Sequence, residues 1–211
     1  MKDIKVIYLP HPIDAIERQN SFLSEKIGEK FDLRIFDRNT PAKPQFDGIE
    51  VIVDLGGNIT AEFVHIASKA GVKYIQVQTN GLDHVEVEAI LDSGITLAHC
   101  PGYLSSVSLA EGAMMFILAL AHGYGFATDD FFQGKAFSYQ GLEVAGRDLG
   151  IVGFGASGQQ LALRAKAFGM RVHGIDIRGI ENEILEEIGP DSMGSASDLD
   201  KVLSTCDFIS L

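Results

Sequence analysis

Short apolar runs of strand length alternate along the chain with segments in which apolar residues recur at helical spacing. The runs that we predict as strands are residues 4–8, 33–36, 51–55, 74–77, 95–98, 149–154, 172–177 and 207–211. Helical segments fall between most of these runs. Because parallel strands need crossover connections, this alternation predicts an α/β fold whose parallel sheets are covered by helices.

Two helical segments carry further information. Residues 60–70 place Phe63, Ile66 and Ala67 on one face, with Thr60 as a predicted N-cap and Gly71 as a predicted C-cap. Residues 107–122 are apolar on nearly every side, which predicts burial on more than one face. We therefore expect that helix to be covered by two domains or by a second subunit, and we predict a homodimer formed through it.

The chain divides near the Pro101-Gly102 step, which follows the first group of predicted strands. Residues 1–100 are predicted to form a flavodoxin-like parallel-sheet domain. Residues 101–211 are predicted to form a partial Rossmann domain, because they hold one strand-loop-helix-strand unit and its continuation to the strand at 207–211.

The second domain contains a glycine-rich loop in a specific context. An apolar strand at 149–154 leads into Gly153, Gly155 and Gly158, which have GxGxxG spacing and open a helix. That helix has Leu161, Ala162, Ala165 and Phe168 on its predicted apolar face and Gly169 at its predicted end. The next strand ends at Asp176, 18 positions after Gly158. This order of elements predicts a dinucleotide site rather than a chance match.

Each residue of the loop has a physical task. Gly153 permits a sharp turn, Gly155 lets the backbone approach a diphosphate, and Gly158 allows close packing of helix on strand. Asp176 is expected to accept hydrogen bonds from both hydroxyls of the adenosine ribose, which favours NAD over NADP, although Arg178 weakens that preference. A methyltransferase that uses S-adenosylmethionine has a similar strand, loop and acid, and stays an alternative.

Composition narrows the possible partners. The formal net charge is −12, which argues against nucleic acid or an anionic membrane surface as a partner. The start of the chain predicts no secretory signal, and the apolar stretch 113–121 is shorter than the roughly 18 residues of a membrane span. Cys100 and Cys206 form no metal-binding pattern, so we predict no metal site and a cytoplasmic location.

Three segments resemble one known family. They are TNGLDHVEVEAI at 79–90, PGYLSSVSLAEGAMMFILALAHG at 101–123 and GLEVAGRDLGIVGFGASG at 141–158. In these segments the chain is similar to the D-isomer-specific 2-hydroxyacid dehydrogenases, which include phosphoglycerate, D-lactate, glycerate and formate dehydrogenases. The resemblance implies NAD-dependent hydride transfer between a 2-hydroxy acid and a 2-oxo acid. It also implies that residues 1–100 belong to the substrate domain.

The resemblance assigns site residues one by one. Thr79, Asn80 and Gly81 match the loop whose backbone amides bind the substrate carboxylate, and Asn80 also matches a cofactor contact. Ala156 and Ser157 match loop residues whose amides face the diphosphate, where the family commonly has Arg and a branched aliphatic residue. Leu104 and Gly112 also depart from the residues common in the family, so the resemblance does not identify the substrate.

The resemblance places the catalytic Arg, Glu and His of the family downstream of Leu211. We therefore expect a C-terminally truncated chain, with no catalytic residue within 1–211, that binds NAD without turnover. His84 is the histidine beside the predicted substrate loop, and its expected role is structural. The alternative function is a non-catalytic NAD or ADP-ribose sensor or scaffold.

Overall fold

A computed structural model describes residues 3–135 and 140–211. It forms two compact units, Met1–Pro101 (unit 1) and Gly102–Leu211 (unit 2). Met1 and Lys2 lie outside the described residues. They belong to the start of the chain, for which the sequence predicts no secretory signal.

Unit 1 contains one parallel sheet. Its strands are β1 (Lys5–Leu9), β2 (Asp32–Ile35), β3 (Val51–Asp54), β4 (Tyr74–Val77) and β5 (Thr96–His99). They lie in the order β2-β1-β3-β4-β5, and every pair is parallel. This is the order of flavodoxin-like folds, so the predicted fold class of this unit is confirmed.

Helices connect the strands of unit 1. They are α1 (Glu17–Lys30), α2 (Ala42–Gln45), α3 (Ala61–Ala70) and α4 (Val87–Ser93), with a short 3-10 turn at Asp14–Ile16. The predicted ends of α3 are confirmed. The Thr60 side chain accepts a hydrogen bond from the Phe63 N–H, and Gly71 adopts a left-handed conformation with φ of 93°.

Apolar side chains fill both faces of the unit 1 sheet because strand residues alternate between faces. Ile7, Ile52 and Ile75 belong to the core cluster beneath α3. Val6 and Tyr8 belong to a second apolar cluster on the opposite face of the sheet. Because all five strands are parallel, their carboxyl ends and the loops that follow them emerge at one edge of the sheet.

Unit 2 contains a second parallel sheet. Its strands are β6 (Asp148–Val152), β7 (Arg171–Ile175), β8 (Ser192–Gly194) and β9 (Phe208–Ser210), in the order β8-β7-β6-β9. The helices are α5 (Ser106–Ala121), α6 (Tyr124–Phe132), α7 (Ala156–Ala167), α8 (Asn182–Ile188) and α9 (Leu199–Thr205), with 3-10 turns at Gly102–Leu104 and Ala196–Asp198. This arrangement is the predicted first half of a Rossmann fold.

One expectation for the helices of unit 2 needs correction, and a second is not tested by unit 2 alone. Phe168 does not lie on the apolar face of the glycine-loop helix, since α7 ends at Ala167 and Phe168 is 46% exposed. Within unit 2, α5 buries the face that carries Ala110, Met114 and Ile117, and its opposite face is exposed. Burial of this helix on more than one face is therefore not a property of unit 2 by itself.

In the described ranges 3–135 and 140–211, no single helix has both the length and the apolar composition to cross a membrane. The pair α5 and α6 meets those criteria only when the two are joined across a bend of 58°.

Candidate functional site

The glycine loop of unit 2 joins the end of β6 to the start of α7. Gly153 has φ of 97°, a conformation that side chains rarely adopt, and its N–H donates to the Ile175 carbonyl over 2.8 Å. A Cβ atom on Gly158 would lie 2.2 Å from the Gly153 carbonyl oxygen. The predicted tasks of these two glycines, a sharp turn and close packing, therefore agree with the local geometry.

The first turn of α7 presents free backbone donors. Within residues 3–135 and 140–211, no group accepts from the N–H of Gly155, Ala156, Ser157 or Gly158. The first helical bond runs from the Gln159 N–H to the Gly155 carbonyl over 2.9 Å. Four unsatisfied N–H groups at the positive end of a helix dipole form an anion-binding site.

Asp176 follows β7 and lies beside this loop. Its side chain is only 4% exposed, and its Oδ2 accepts from the Phe154 N–H over 2.8 Å. Its Oδ1 accepts from the Arg178 N–H over 2.9 Å. Burial opposes ionisation of Asp176, but these hydrogen bonds and the Arg178 charge outweigh it and hold the pKa of the carboxyl below its usual value. The site therefore keeps a buried anion next to the free N–H groups at the start of α7.

The Arg178 side chain also contacts Asp176, with Nε 3.4 Å from Oδ1. An ionised carboxylate has about four acceptor positions, so three donors leave one position for a ligand. The Arg178 side chain is 69% exposed and can move away. Bonds from both ribose hydroxyls, as the sequence predicts, require that displacement.

A cavity opens beside the glycine loop, at the carboxyl ends of β6 and β9. Its volume is about 360 Å³, and its lining includes Gly153, Ser157, Gly158 and the α5 residues Leu109 and Ala113. β6 lies between β7 and β9, so the order in which successive strands are added to this parallel sheet reverses at β6. Ligands of open α/β sheets bind in the crevice at such a switch point.

The predicted substrate loop lies in unit 1, after the end of β4. The Thr79 hydroxyl donates to the Gly81 carbonyl over 2.7 Å, and the Cys100 N–H donates to the Thr79 carbonyl over 3.2 Å. In the described part of the chain, no group accepts from the N–H of Thr79, Asn80 or Gly81. These N–H groups are available to an anion, while the cofactor role of Asn80 stays a prediction.

Asp54 is a feature of this edge that sequence reasoning missed. It ends β3, is fully buried, and accepts from the Gly56 and Gly57 N–H groups and from Nε2 of His84. His84 is thus held by a carboxylate, in agreement with its expected structural role. The sequence feature that could have identified Asp54 is an acid at the end of a strand, followed by the glycines Gly56 and Gly57.

The cysteines and the remaining titratable groups contribute no further centre. Cys100 Sγ lies 3.6 Å from Gln78 Oε1, and burial raises the pKa of the half-buried Cys206 thiol. Among the described residues, no group of three or more His, Cys, Asp or Glu side chains is arranged to hold a metal ion.

The sequence of unit 2 matches a known domain family. Residues 114–211 match the profile described as D-isomer specific 2-hydroxyacid dehydrogenase, NAD binding domain. This segment includes the whole glycine loop, α7 and Asp176.

Similar full-length proteins extend the match into unit 1. The chain is 34% identical over 167 residues to D-3-phosphoglycerate dehydrogenase of Methanocaldococcus jannaschii, covering 78% of this chain and 30% of that protein. It is 33% identical over 163 residues to hydroxypyruvate reductase of Thermotoga maritima, covering 76% and 50% respectively. The chain thus spans half or less of the length of these relatives.

A solved structure shows the same fold. D-lactate dehydrogenase from Aquifex aeolicus, complexed with NAD and lactic acid, aligns with a TM-score of 0.78 and 25% sequence identity. The alignment covers 98% of this chain and 60% of that one.

Proposed function

The chain belongs to the D-isomer-specific 2-hydroxyacid dehydrogenase family, and from this membership we propose that it contributes cofactor and substrate binding to hydride transfer between NAD(H) and a 2-hydroxy or 2-oxo acid. NAD is the cofactor that the family assigns to residues 114–211. The observation that carries the proposal is the row of four free N–H groups at the start of α7, with Asp176 beside it.

The start of α7 is proposed to hold the diphosphate of NAD. Gly155, Ala156, Ser157 and Gly158 supply the N–H donors. Among the described residues that are not its chain neighbours, Arg178 is the one that comes within 4 Å of the Cβ position of Gly155, with Nη2 at 3.4 Å. A diphosphate can therefore come close to the backbone there. Local donors of this kind bind an anion even though the chain carries a net charge of −12.

Asp176 is proposed to bind the adenosine ribose once Arg178 has moved aside. A charged acceptor contributes about 1.5 to 3 kcal/mol to such a hydrogen bond. A 2′-phosphate would meet the negative charge of this carboxylate, so we propose that NAD binds more tightly than NADP.

Thr79, Asn80 and Gly81 are proposed to bind the carboxylate of the substrate. Their free N–H groups follow a strand end, and successive free N–H groups in a turn are suited to binding an anion. Bound NAD supplies the hydride acceptor, and the role of this loop is to orient the acid. We propose that a polypeptide of residues 1–211 binds NAD without turnover, because family resemblance places the catalytic Arg, Glu and His outside that range.

We also propose that the chain forms a homodimer through α5. Leu109, Met115, Phe116 and Leu120 on this helix are 56% to 72% exposed. Soluble proteins rarely leave such large apolar side chains together in water, and burial of apolar surface drives association. A second copy of the same helix would cover this face.

The experiment is isothermal titration of residues 1–211 with NAD, NADP, ADP-ribose and S-adenosylmethionine. We expect binding of NAD and ADP-ribose, weaker binding of NADP, and no heat with S-adenosylmethionine. Heat with S-adenosylmethionine and none with NAD would contradict the proposal and favour a methyltransferase-like site.

A second assay tests for turnover, and the affinity for NAD measured with and without a 2-oxo acid separates dehydrogenase from sensor. The same polypeptide is mixed with NADH and pyruvate, hydroxypyruvate or glyoxylate, and absorbance is followed. We expect no steady oxidation. The sensor alternative is supported by the location of both the free N–H groups of α7 and Asp176 within unit 2, and it predicts that no 2-oxo acid changes the affinity for NAD.

A further inference from the structure

Asp54 connects three segments at the carboxyl edge of the unit 1 sheet. Its carboxylate accepts from the Gly56 N–H over 3.0 Å and also from the Gly57 N–H. Its Oδ2 lies 2.9 Å from Nε2 of His84, and its backbone carbonyl accepts from the Gln78 N–H over 2.8 Å. One buried residue therefore binds the loop after β3 and two points of the chain after β4.

These two points lie on either side of the predicted substrate loop. Gln78 immediately precedes Thr79, and His84 follows Gly81 by three positions. Beyond His84 the chain is fixed again, because the Ile59 N–H donates to the His84 carbonyl over 3.0 Å. The segment with the free N–H groups is therefore held at both ends by Asp54, once through its backbone and once through its side chain.

The Asp54–His84 bond sets the form of the imidazole. Because a carboxylate accepts hydrogen bonds, we assign Nε2 of His84 as the donor in this pair. The Asp54 side chain is fully buried and the His84 side chain is 24% exposed. In the described part of the chain, His84 is the side-chain donor to this carboxylate, and a buried carboxylate depends on such donors.

We propose that His84 is a positioning residue for the substrate, which holds the 79–81 loop in the form that binds a carboxylate. The proposal rests on the proposed function of this loop. His84 acts through Asp54 and the loop backbone, and it transfers no proton. A side chain that donates from the position of Nε2 should therefore replace it.

The test follows backbone amides by nuclear magnetic resonance while pyruvate is added to residues 1–211. In the unmodified chain we expect the amide signals of Thr79, Asn80 and Gly81 to shift with pyruvate. His84→Leu should weaken pyruvate binding about tenfold, since a lost hydrogen bond to a charged group has at least that effect. His84→Gln, whose amide donates from a similar distance, should bind pyruvate within about twofold of the unmodified chain.

The control variant is His65→Leu, because His65 is exposed on α3 and has no hydrogen-bond partner among the described residues. It should leave pyruvate binding unchanged. Hydrogen exchange of β4 amides shows whether each variant keeps unit 1 folded. If His84→Leu does not fold, His84→Asn takes its place, because the shorter asparagine side chain does not reach Asp54.

The outcomes test the proposed function of the 79–81 loop separately from the proposed role of His84. If pyruvate moves none of the three amide signals in the unmodified chain, the proposed substrate loop is wrong. If pyruvate moves them but folded variants without the donor bind equally well, the role of His84 is wrong. If His84→Gln loses binding as His84→Leu does, the histidine has a role other than positioning, and the proposal is overturned.

Discussion

Gly158→Ala tests the close packing of α7 against the glycine loop. The added Cβ would lie 2.2 Å from the Gly153 carbonyl oxygen and 3.1 Å from Ile151 Cγ2. Ordinary contacts of a Cβ atom begin at about 3.4 Å, so helix and loop must separate by roughly 1 Å. The obstacle is backbone rather than the flexible end of a side chain, and overpacking of this kind costs about 1 to 3 kcal/mol.

The assay measures stability and binding in the same variant. Hydrogen exchange of β6 amides should report a loss of about 2 kcal/mol in the free energy of opening unit 2. Titration with ADP-ribose should show binding at least tenfold weaker, because the Gly155 to Gly158 N–H groups move with the helix start.

The matched control is Gly112→Ala, within α5. Apart from the nearby backbone of α5 itself, no atom of the described residues lies within 4 Å of a Cβ built there, so alanine should stabilise the helix by up to about 1 kcal/mol and leave ADP-ribose binding unchanged. A Gly158→Ala variant with normal β6 exchange and normal ADP-ribose affinity would refute the packing argument.

Three further predictions follow from single residues. Thr60→Ala removes the side-chain acceptor of the Phe63 N–H and should lower the unfolding free energy of unit 1 by about 1 kcal/mol, as measured by exchange of β3 amides; no change would mean that this cap is not stabilising. Hydrogen bonds from Arg171 and His173 hold the pKa of Asp148 below its usual value of 3.8, so its contribution is present above that pH and is lost as the pH falls. Asp148→Asn should therefore make acid unfolding of unit 2 less steep below pH 3.8, followed by circular dichroism, and an unaltered profile would exclude this source of stability. Phe116→Asp should convert the proposed dimer to a monomer in sedimentation experiments, and a monomeric unmodified chain would exclude that interface.

Much of the fold follows from local sequence. The predicted strand 74–77 coincides with β4 at both ends. Thr60 and Gly71 mark the two ends of α3, as the sequence predicts. The GxGxxG spacing, the helix and Asp176 lie within one continuous segment, so their arrangement could be predicted without long-range information.

The remaining features depend on contacts between distant segments. β8, at Ser192–Gly194, was not predicted because three residues without an apolar run leave no strand pattern. The bond between Asp54 and His84 joins residues 30 positions apart, and no periodicity encodes such a pair. The approach of Arg178 to Asp176 was also not predicted, since side-chain orientation after a strand end depends on the folded loop.

A crystal structure of the chain grown with NAD would show whether the start of α7 and Asp176 bind the cofactor. We expect diphosphate oxygens about 2.7 to 3.2 Å from the backbone nitrogens of Gly155, Ala156, Ser157 or Gly158, with the adenosine ribose hydroxyls bound to Asp176 and the Arg178 side chain displaced. Bound NAD at any other surface, with Asp176 still held only by Phe154 and Arg178, would contradict it.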